Sequence, residues 1–361
     1  MTQRTRHKRT LKAVAFAVLI FAGVGSAPAQ VGWMPPSDTP RLAIPLAGWA
    51  ASLPHLQPGS IPTLATPQPR LMAFGRLVTA LATRDWDEAR KLSSELRYEI
   101  ATIQDSSGTY LGIYDPGGKD AAVVLNLAPR RDVVFEAPHV PFEVGTAEEA
   151  VLLLQAVGGR AALISGAHRC ASLAFAGCSG TTEVCGRSEG YRDADVGHNP
   201  ATLFEAAHEA LAQLWPGSVA VSLHGMRDDL DGVKTSMVIS SGAHGSDTGE
   251  ALPATRLRIS LGRLPLPPGA VVSCNVPADA QYGFRKLCGF TNVQGRFSNR
   301  SADICSASAE IATGRFIHIE QDWSILQPFA EDWRNIGRYP AAVGLFEGFS
   351  AVAAPIADQA Q

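Results

Sequence analysis

The chain has 361 residues, 46% of them hydrophobic and 18% charged, with a net charge of −3 at pH 7. That is enough apolar material for one substantial core, and the slightly acidic balance excludes the basic footprint of a nucleic-acid binder. The N-terminus reads as a targeting segment: Arg4, Arg6, Lys8, Arg9 and Lys12 precede an apolar stretch from Ala13 to Val24, and Ala27-Pro28-Ala29 follows. This pattern predicts a signal peptide over residues 1–29, an exported protein in the periplasm or outside the cell, and no stable membrane span.

Residues 30–68 are rich in Pro, Ala and Ser and read as an extended leader before a domain covering 69–361. Leu71, Phe74, Val78 and Leu81 form one helical stripe, and Leu92, Leu96, Ile100 and Ile103 form a second, with Asp85 and Glu88 as its cap. Thr109–Tyr114, a turn at Asp115–Gly118 and Ala121–Leu127 predict a β-hairpin. Asp132–Ala137 is a short apolar strand stopped by Pro138. His139 and Glu143 follow it, before a helix with Thr146 as N-cap, Glu149 completing a capping box, and Ala147, Ala150, Val151, Leu154 and Val157 on its inner face.

Arg160–Ser165 is the next strand, leading to His168, Arg169 and a cysteine-bearing loop. Asn199-Pro200 predicts a helix start, with Leu203, Ala207, Leu211 and Leu214 as its stripe. Ser218–Leu223 is a strand ending at His224, and Met237–Ser240 another ending before His244. A helix over Gly249–Leu261, a strand over Val271–Val276, a last strand over Arg315–Glu320 and a helix near Pro328–Tyr339 complete the chain. Strands alternating with helices predict an α/β fold with a central mixed, mostly parallel sheet and helices on both faces.

The six cysteines lack the paired C-x-x-C spacing of structural zinc sites, so disulfides in an oxidising compartment are the expectation. Cys170, Cys178 and Cys185 form one group and Cys274, Cys288 and Cys305 another. Groups of three cannot pair fully within themselves, so full oxidation requires at least one bridge between them.

Three strands end in candidate chemistry: His139 with Glu143, His224, and Glu320. Ligands in open α/β sheets bind at the carboxyl ends of strands. Two imidazoles and a carboxylate suit a catalytic zinc, and a further carboxylate suits the base that takes a proton from water. Equally open is that His224 is a core histidine and Glu320 an arginine's partner. His168 and His244 could support the site, whereas His198 and His208 read as structural. No H-E-x-x-H, nucleotide-binding glycine pattern or G-x-S-x-G elbow occurs.

Pro138-His139, Glu143–Thr146, Ser222–Gly225 and His318-Ile-Glu320 resemble landmarks of the phage poly-γ-glutamate hydrolases and N-formylglutamate amidohydrolases and, more remotely, the zinc carboxypeptidases. The resemblance covers about residues 130–325, and the His–Glu spacing is one residue shorter than in the poly-γ-glutamate hydrolases. It implies one Zn2+ held by His139, Glu143 and His224, with Glu320 as base. It also implies that Arg169 polarises the scissile carbonyl and that Arg296, Asn299 and Arg300 hold a substrate carboxylate. The alternative for these arginines is pairing with Asp193, Asp195 or Asp303. The implied function is zinc-dependent amide hydrolysis of a small-molecule, peptide or polymer substrate bearing acidic groups. A non-catalytic secreted binding protein and a zinc esterase are the rivals.

Overall fold

The computed structural model describes residues 35–227, 235–247, 250–282 and 287–356; the signal-peptide segment, residues 1–29, lies outside them. The chain divides by contact into residues 1–38 and residues 39–361. In the first unit only residues 35–38 are described, as coil running into a turn. The second carries every described strand.

Within the stretch read as a leader, Arg41–Leu42 is a short strand (β1) and Leu46–Ala51 a helix (α1) that buries Leu46, Ala47, Trp49 and Ala50. Two helices follow, Gln68–Thr83 (α2) and Trp86–Leu96 (α3). Asp85 caps α3 by accepting from the Glu88 amide at 3.2 Å, as its spacing predicts. The second stripe, however, is cut in two. Arg97 adopts a left-handed conformation (φ 61°) that ends α3, and Ile100 and Ile103 fall in the next strand. β-Branched residues pack well on a pleated surface, and here strand pairing overrides helical periodicity.

The remaining strands are Glu99–Asp105 (β2), Gly108–Tyr114 (β3), Ala122–Asn126 (β4), Val133–Ala137 (β5), Ala161–Ile164 (β6), Val219–Gly225 (β7), Met237–Ser240 (β8), Val271–Ser273 (β9) and Phe316–Gln321 (β10). They form one ten-stranded mixed, mostly parallel open sheet in the order β1-β2-β3-β4-β6-β5-β7-β10-β8-β9. β6, β5, β7 and β10 are consecutive and mutually parallel, so their carboxyl ends share one edge.

Both faces of that block are covered. Helices Thr146–Leu153 (α4), Leu203–Leu214 (α5), Pro253–Leu261 (α6), Val293–Ser298 (α7), Trp323–Asp332 (α8) and Pro340–Val352 (α9) complete the set. Phe135, Ile317 and Ile319 join α4, α6, α8 and α9 in the main core. The alternate residues face the other way: Glu136 meets His208 of α5. This two-sided burial explains why the central strands read as continuous apolar runs.

Two predicted caps do not form. Gly145 (φ 98°), not Thr146, sits at the start of α4, and the Thr146 hydroxyl donates back to the Glu143 carbonyl at 2.8 Å. A side chain at 145 would meet the Leu326 carbonyl at 2.9 Å, so close packing against α8 holds this turn in place. Glu149 is buried instead of capping, accepting from the Gln321 amide at 2.8 Å. Thr202, not Asn199, caps α5. Helix α9 lies beyond the predicted final helix, and α6 begins at Pro253.

The disulfides are Cys170–Cys185, Cys178–Cys305 and Cys274–Cys288. The second joins the two groups, as the parity argument requires, and spans 127 residues of sequence. Three disulfides fit an oxidising, exported location. No helix among the described residues is long and apolar enough to cross a membrane.

The cross-link and a buried ion pair generate two predictions. Replacing Cys178 and Cys305 together by Ser should cost about 2–5 kcal/mol, because a long unfolded loop is released. Urea unfolding checks this, and an unchanged midpoint would refute it. His208 and Glu136 approach to 2.6 Å with both side chains 1% exposed. Burial opposes a charged His208, but Glu136 and the nearby Glu205 and Glu209 outweigh it and push its pKa up to about 9. Burial pushes the Glu205 carboxyl up to about 8. In both cases the folded chain binds the proton more tightly than the unfolded one. The stabilisation from His208 is full below its ordinary value near 6.5 and is lost as pH rises through about 9; Glu205 adds a loss in the same direction. Unfolding free energy should therefore fall from about pH 4.5 to about pH 9, with Glu205 acting over the lower part and His208 over the upper part. His208→Leu, which strands Glu136, should cost about 3–5 kcal/mol and flatten that slope.

Candidate metal centre

Four parallel strands deliver the cluster. Beyond β5, the His139 carbonyl accepts from both the Phe142 and Glu143 amides, at 2.9 and 2.8 Å. This single turn returns Glu143 to the side of His139, which is what a spacing of four residues needs for two side chains to converge. His139 Nδ1 then lies 3.0 Å from Glu143 Oε1. At the end of β7, His224 Nδ1 lies 3.2 Å from Glu143 Oε2. In the parallel register of β7 and β10, Glu320 stands beside His224 and His318 beside Ser222. His318 Nε2 lies 3.1 Å from Glu320 Oε1, and the His224 and His318 rings are 4.4 Å apart.

The outer nitrogens of both imidazoles are also committed. His139 Nε2 lies 2.9 Å from Asp195 Oδ1, and His224 Nε2 2.9 Å from Ser222 Oγ. Gly197 allows this close approach, since a Cβ there would lie 3.1 Å from His139 Nε2. Asp195 also accepts from Arg169 Nε at 3.0 Å and Nη2 at 2.6 Å, and faces His198 Nδ1 at 2.9 Å. Arg169 Nη1 reaches Glu143 Oε1 at 3.3 Å.

His139, Glu143 and His224 are 1%, 6% and 3% exposed, so the charges here are set by neighbours. Burial alone would raise the Glu143 carboxyl, but His139 and His224 hold it well below the usual range. Asp195 is likewise held well below its usual value against burial, by Arg169, His198 and His139. Burial, assisted by His318 and His139, pushes His224 down to about 3, so its imidazole is neutral. Burial raises the Glu320 carboxyl, with the Glu143 charge adding to it and His318 opposing.

The donor set fits a zinc ion. With zinc in place, a neutral His139 giving Nε2–H to Asp195 would turn its Nδ1 lone pair inward, as would a neutral His224 whose Nε2 meets Ser222; without the ion, and against burial, Glu143 and Asp195 favour a charged His139. Glu143 Oε2 is buried, with His224 Nδ1 beside it at 3.2 Å. Two imidazoles and one carboxylate whose ligand atoms all lie within 4.8 Å of one another are the usual set for catalytic zinc. A second grouping, His139, Asp195 and His198, meets the same distance criterion. Its Asp195 oxygens, however, already serve Arg169 and both imidazoles, so the Glu143 side is the better seat. With a metal there, Asp195 would be the outer carboxylate that fixes the tautomer of His139.

Several expected residues go elsewhere. Arg169, expected to polarise a carbonyl, is paired with Asp195 and Glu143. Arg296 spends its guanidinium on the carbonyls of Phe290, Ile304 and Cys305, at 3.0, 3.2 and 2.8 Å. Asn299 donates to the Ser241 carbonyl and accepts from the Thr313 amide, so its amide braces loops. Arg300 is exposed, in a left-handed conformation (φ 58°). Since β8 runs antiparallel to β10, it carries His244 away from the shared edge, to an exposed position against Phe290. His168 accepts from the Cys170 amide at 3.0 Å and packs edge-on against Phe142.

Asp195 and His198 are the residues that sequence reasoning left outside the site. The visible signal was Asp193-Ala-Asp195-Val-Gly-His198, two carboxylates and an imidazole within six residues. An open cavity of about 700 Å³ lies elsewhere, between α2, α3 and α5, and its lining contains no histidine or cysteine.

No protein-family model matches this chain, and no curated protein matches it. Among solved structures, an N-formylglutamate amidohydrolase from Ralstonia eutropha JMP134 aligns with 64% of this chain and 95% of its own, at 12% identity and a TM-score of 0.31. That likeness is too slight to carry an argument.

Asp195→Asn should lower zinc affinity about 10–100-fold, because the amide can no longer hold the His139 tautomer as a charged acceptor. Competition with a chromophoric chelator measures it. Unchanged affinity would remove Asp195 from the centre.

Proposed function

We propose that this chain is an exported zinc-dependent hydrolase of amide bonds. His139, Glu143 and His224 hold the metal, and Glu320 is the general base. The observation that carries the reading is that His139 Nδ1 and His224 Nδ1 each meet a different oxygen of the buried Glu143 carboxylate, at 3.0 and 3.2 Å. A zinc ion held there supplies Lewis acidity toward water and an amide carbonyl.

The chain's own groups supply the rest. Glu320 pairs in register with His224, where its carboxylate would take a proton from the attacking water and return it to the leaving amine. Its raised pKa, caused by burial, suits a carboxylate that must accept and return a proton. His318 Nε2 holds one Glu320 oxygen and leaves the other for that task. Arg169 contributes by restraining Glu143 and Asp195, which keeps both histidine ligands oriented. The three disulfides support the exported location.

Elemental analysis of the purified mature protein should find one zinc per chain. His224→Ala should lose most of it, since two remaining ligands make a weak chelate. Native protein without metal, or a mutant that keeps its zinc in full, would sink the site. Glu320→Gln should retain fold and zinc, yet lower turnover by about 10²–10⁴ against a panel of N-acyl amino acids, γ-glutamyl peptides and peptidoglycan fragments. Loss of zinc in that variant would make Glu320 a ligand. Binding of a panel member without cleavage by the zinc-loaded native protein would favour a non-catalytic binding protein.

A further inference from the structure

Three of the groups expected to receive an acidic substrate, Arg169, Arg296 and Asn299, are already engaged. Glu143, Asp195 and Glu320 gather around the metal position, and the charge of Arg169 is shared between the first two. Arg296 and Asn299 are bound into loop backbone. A substrate carboxylate brought against this cluster therefore meets a guanidinium already paired with two carboxylates.

The ligand-bearing loop presents apolar surface instead. Phe142, between His139 and Glu143, is 41% exposed, and Val144, on the other side of Glu143, is 54% exposed. Leu173 and Phe175, on the loop that carries Arg169, are 62% and 52% exposed. Phe142 is tied to the centre by more than chain position. Its ring lies 5.3 Å from that of His168, edge-on, and 5.7 Å from Arg169 Cζ. The same guanidinium touches Glu143 at 3.3 Å. The turn that buries the Glu143 carboxylate therefore leaves an exposed aromatic ring next to it in sequence, against the guanidinium that donates to Glu143. An aromatic face there offers apolar contact at little entropic cost, because a Phe side chain has few rotamers to lose.

Resting on the zinc-hydrolase reading above, we infer that Phe142 determines specificity and that the substrate carries an uncharged apolar group beside the amide that is cut. The experiment uses the full mature protein loaded with zinc and two hydroxamates, which chelate zinc and differ at one end. 3-Phenylpropionohydroxamate carries a phenyl group, and succinomonohydroxamate carries a carboxylate. Calorimetric titration should show the phenyl compound binding at least about tenfold more tightly, the effect of roughly 1.4 kcal/mol of apolar contact. Phe142→Ser should abolish most of that preference while zinc content and succinomonohydroxamate affinity stay as in the native protein. Phe142→Leu should restore part of it.

Tighter binding of the carboxylated compound overturns the inference; sensitivity of that binding to Arg227→Ala would assign recognition to the exposed cation three residues past His224. A phenyl preference that survives Phe142→Ser also overturns it. In either case zinc and hydroxamate binding remain, so the zinc-hydrolase reading stands. A native protein that holds no zinc and binds neither compound removes both together.

Discussion

A carboxylate 1% exposed stays ionised only where nearby charge and hydrogen bonds offset the loss of water, and Asp195 meets that condition with three partners. Arg169 approaches one oxygen with two N–H groups, while His139 and His198 share the other. Most of the centre follows from this arrangement. With Nε2 of His139 held outward, Nδ1 turns inward toward Glu143, and Arg169 steadies Glu143 from the far side. Removing Asp195 would strand a buried guanidinium and free an imidazole at the same time. Breaking a buried charged pair on one side costs several kcal/mol, so the network couples local stability to ligand orientation.

The sheet supplies the frame for that network. Because β6, β5, β7 and β10 are adjacent and parallel, the loops carrying Arg169, His139, His224 and Glu320 leave the same edge. Side-chain alternation then sorts the residues by face. Ser222, His224, His318 and Glu320 share the face opposite Ile317 and Ile319, which pack into the main core with α4, α6 and α9. Gln321, one residue further, turns to the core side and meets Glu149. A slip of one residue in the β7–β10 register would turn Glu320 away from His224.

The loops above this edge hold little regular structure, and their order comes from cross-links and side-chain bonds to backbone. Cys178–Cys305 ties the loop after β6 to the segment before β10, and Arg296 fastens that segment by two of its carbonyls, Ile304 and Cys305. Cys274–Cys288 holds the chain just before Gly289, whose backbone presses on the His318 ring so closely that a Cβ would lie 2.6 Å from it. Such restraints replace the packing that a long irregular loop cannot provide for itself.

How much of this was legible depends on the range of the interaction. Features set by neighbours in sequence could be read directly: the β3–β4 hairpin, the Asp85 cap, the strands feeding His139, His224 and Glu320, and the need for a disulfide between the cysteine groups. His139 and Glu143 were legible as a pair because one turn joins them. The missed features are those in which distant segments overrule local preference. Arg97 stops a helix that Ile100 and Ile103 would have continued, because β2 pairs with β3. Gly145 displaces Thr146 from the cap because α8 packs against it. The backbone partners of Arg296 and Asn299 at Cys305, Ser241 and Thr313 meet them only in the folded loop. His244 ends a strand in sequence, but the antiparallel placement of β8 decides which edge it reaches. Asp195 had the right chemistry in plain view; only closure of a loop 56 residues beyond His139 brought its charge to the imidazole. Composition and periodicity report what each segment prefers alone, whereas buried charge must be matched in space, and that matching exists only once the sheet has brought the strand ends together.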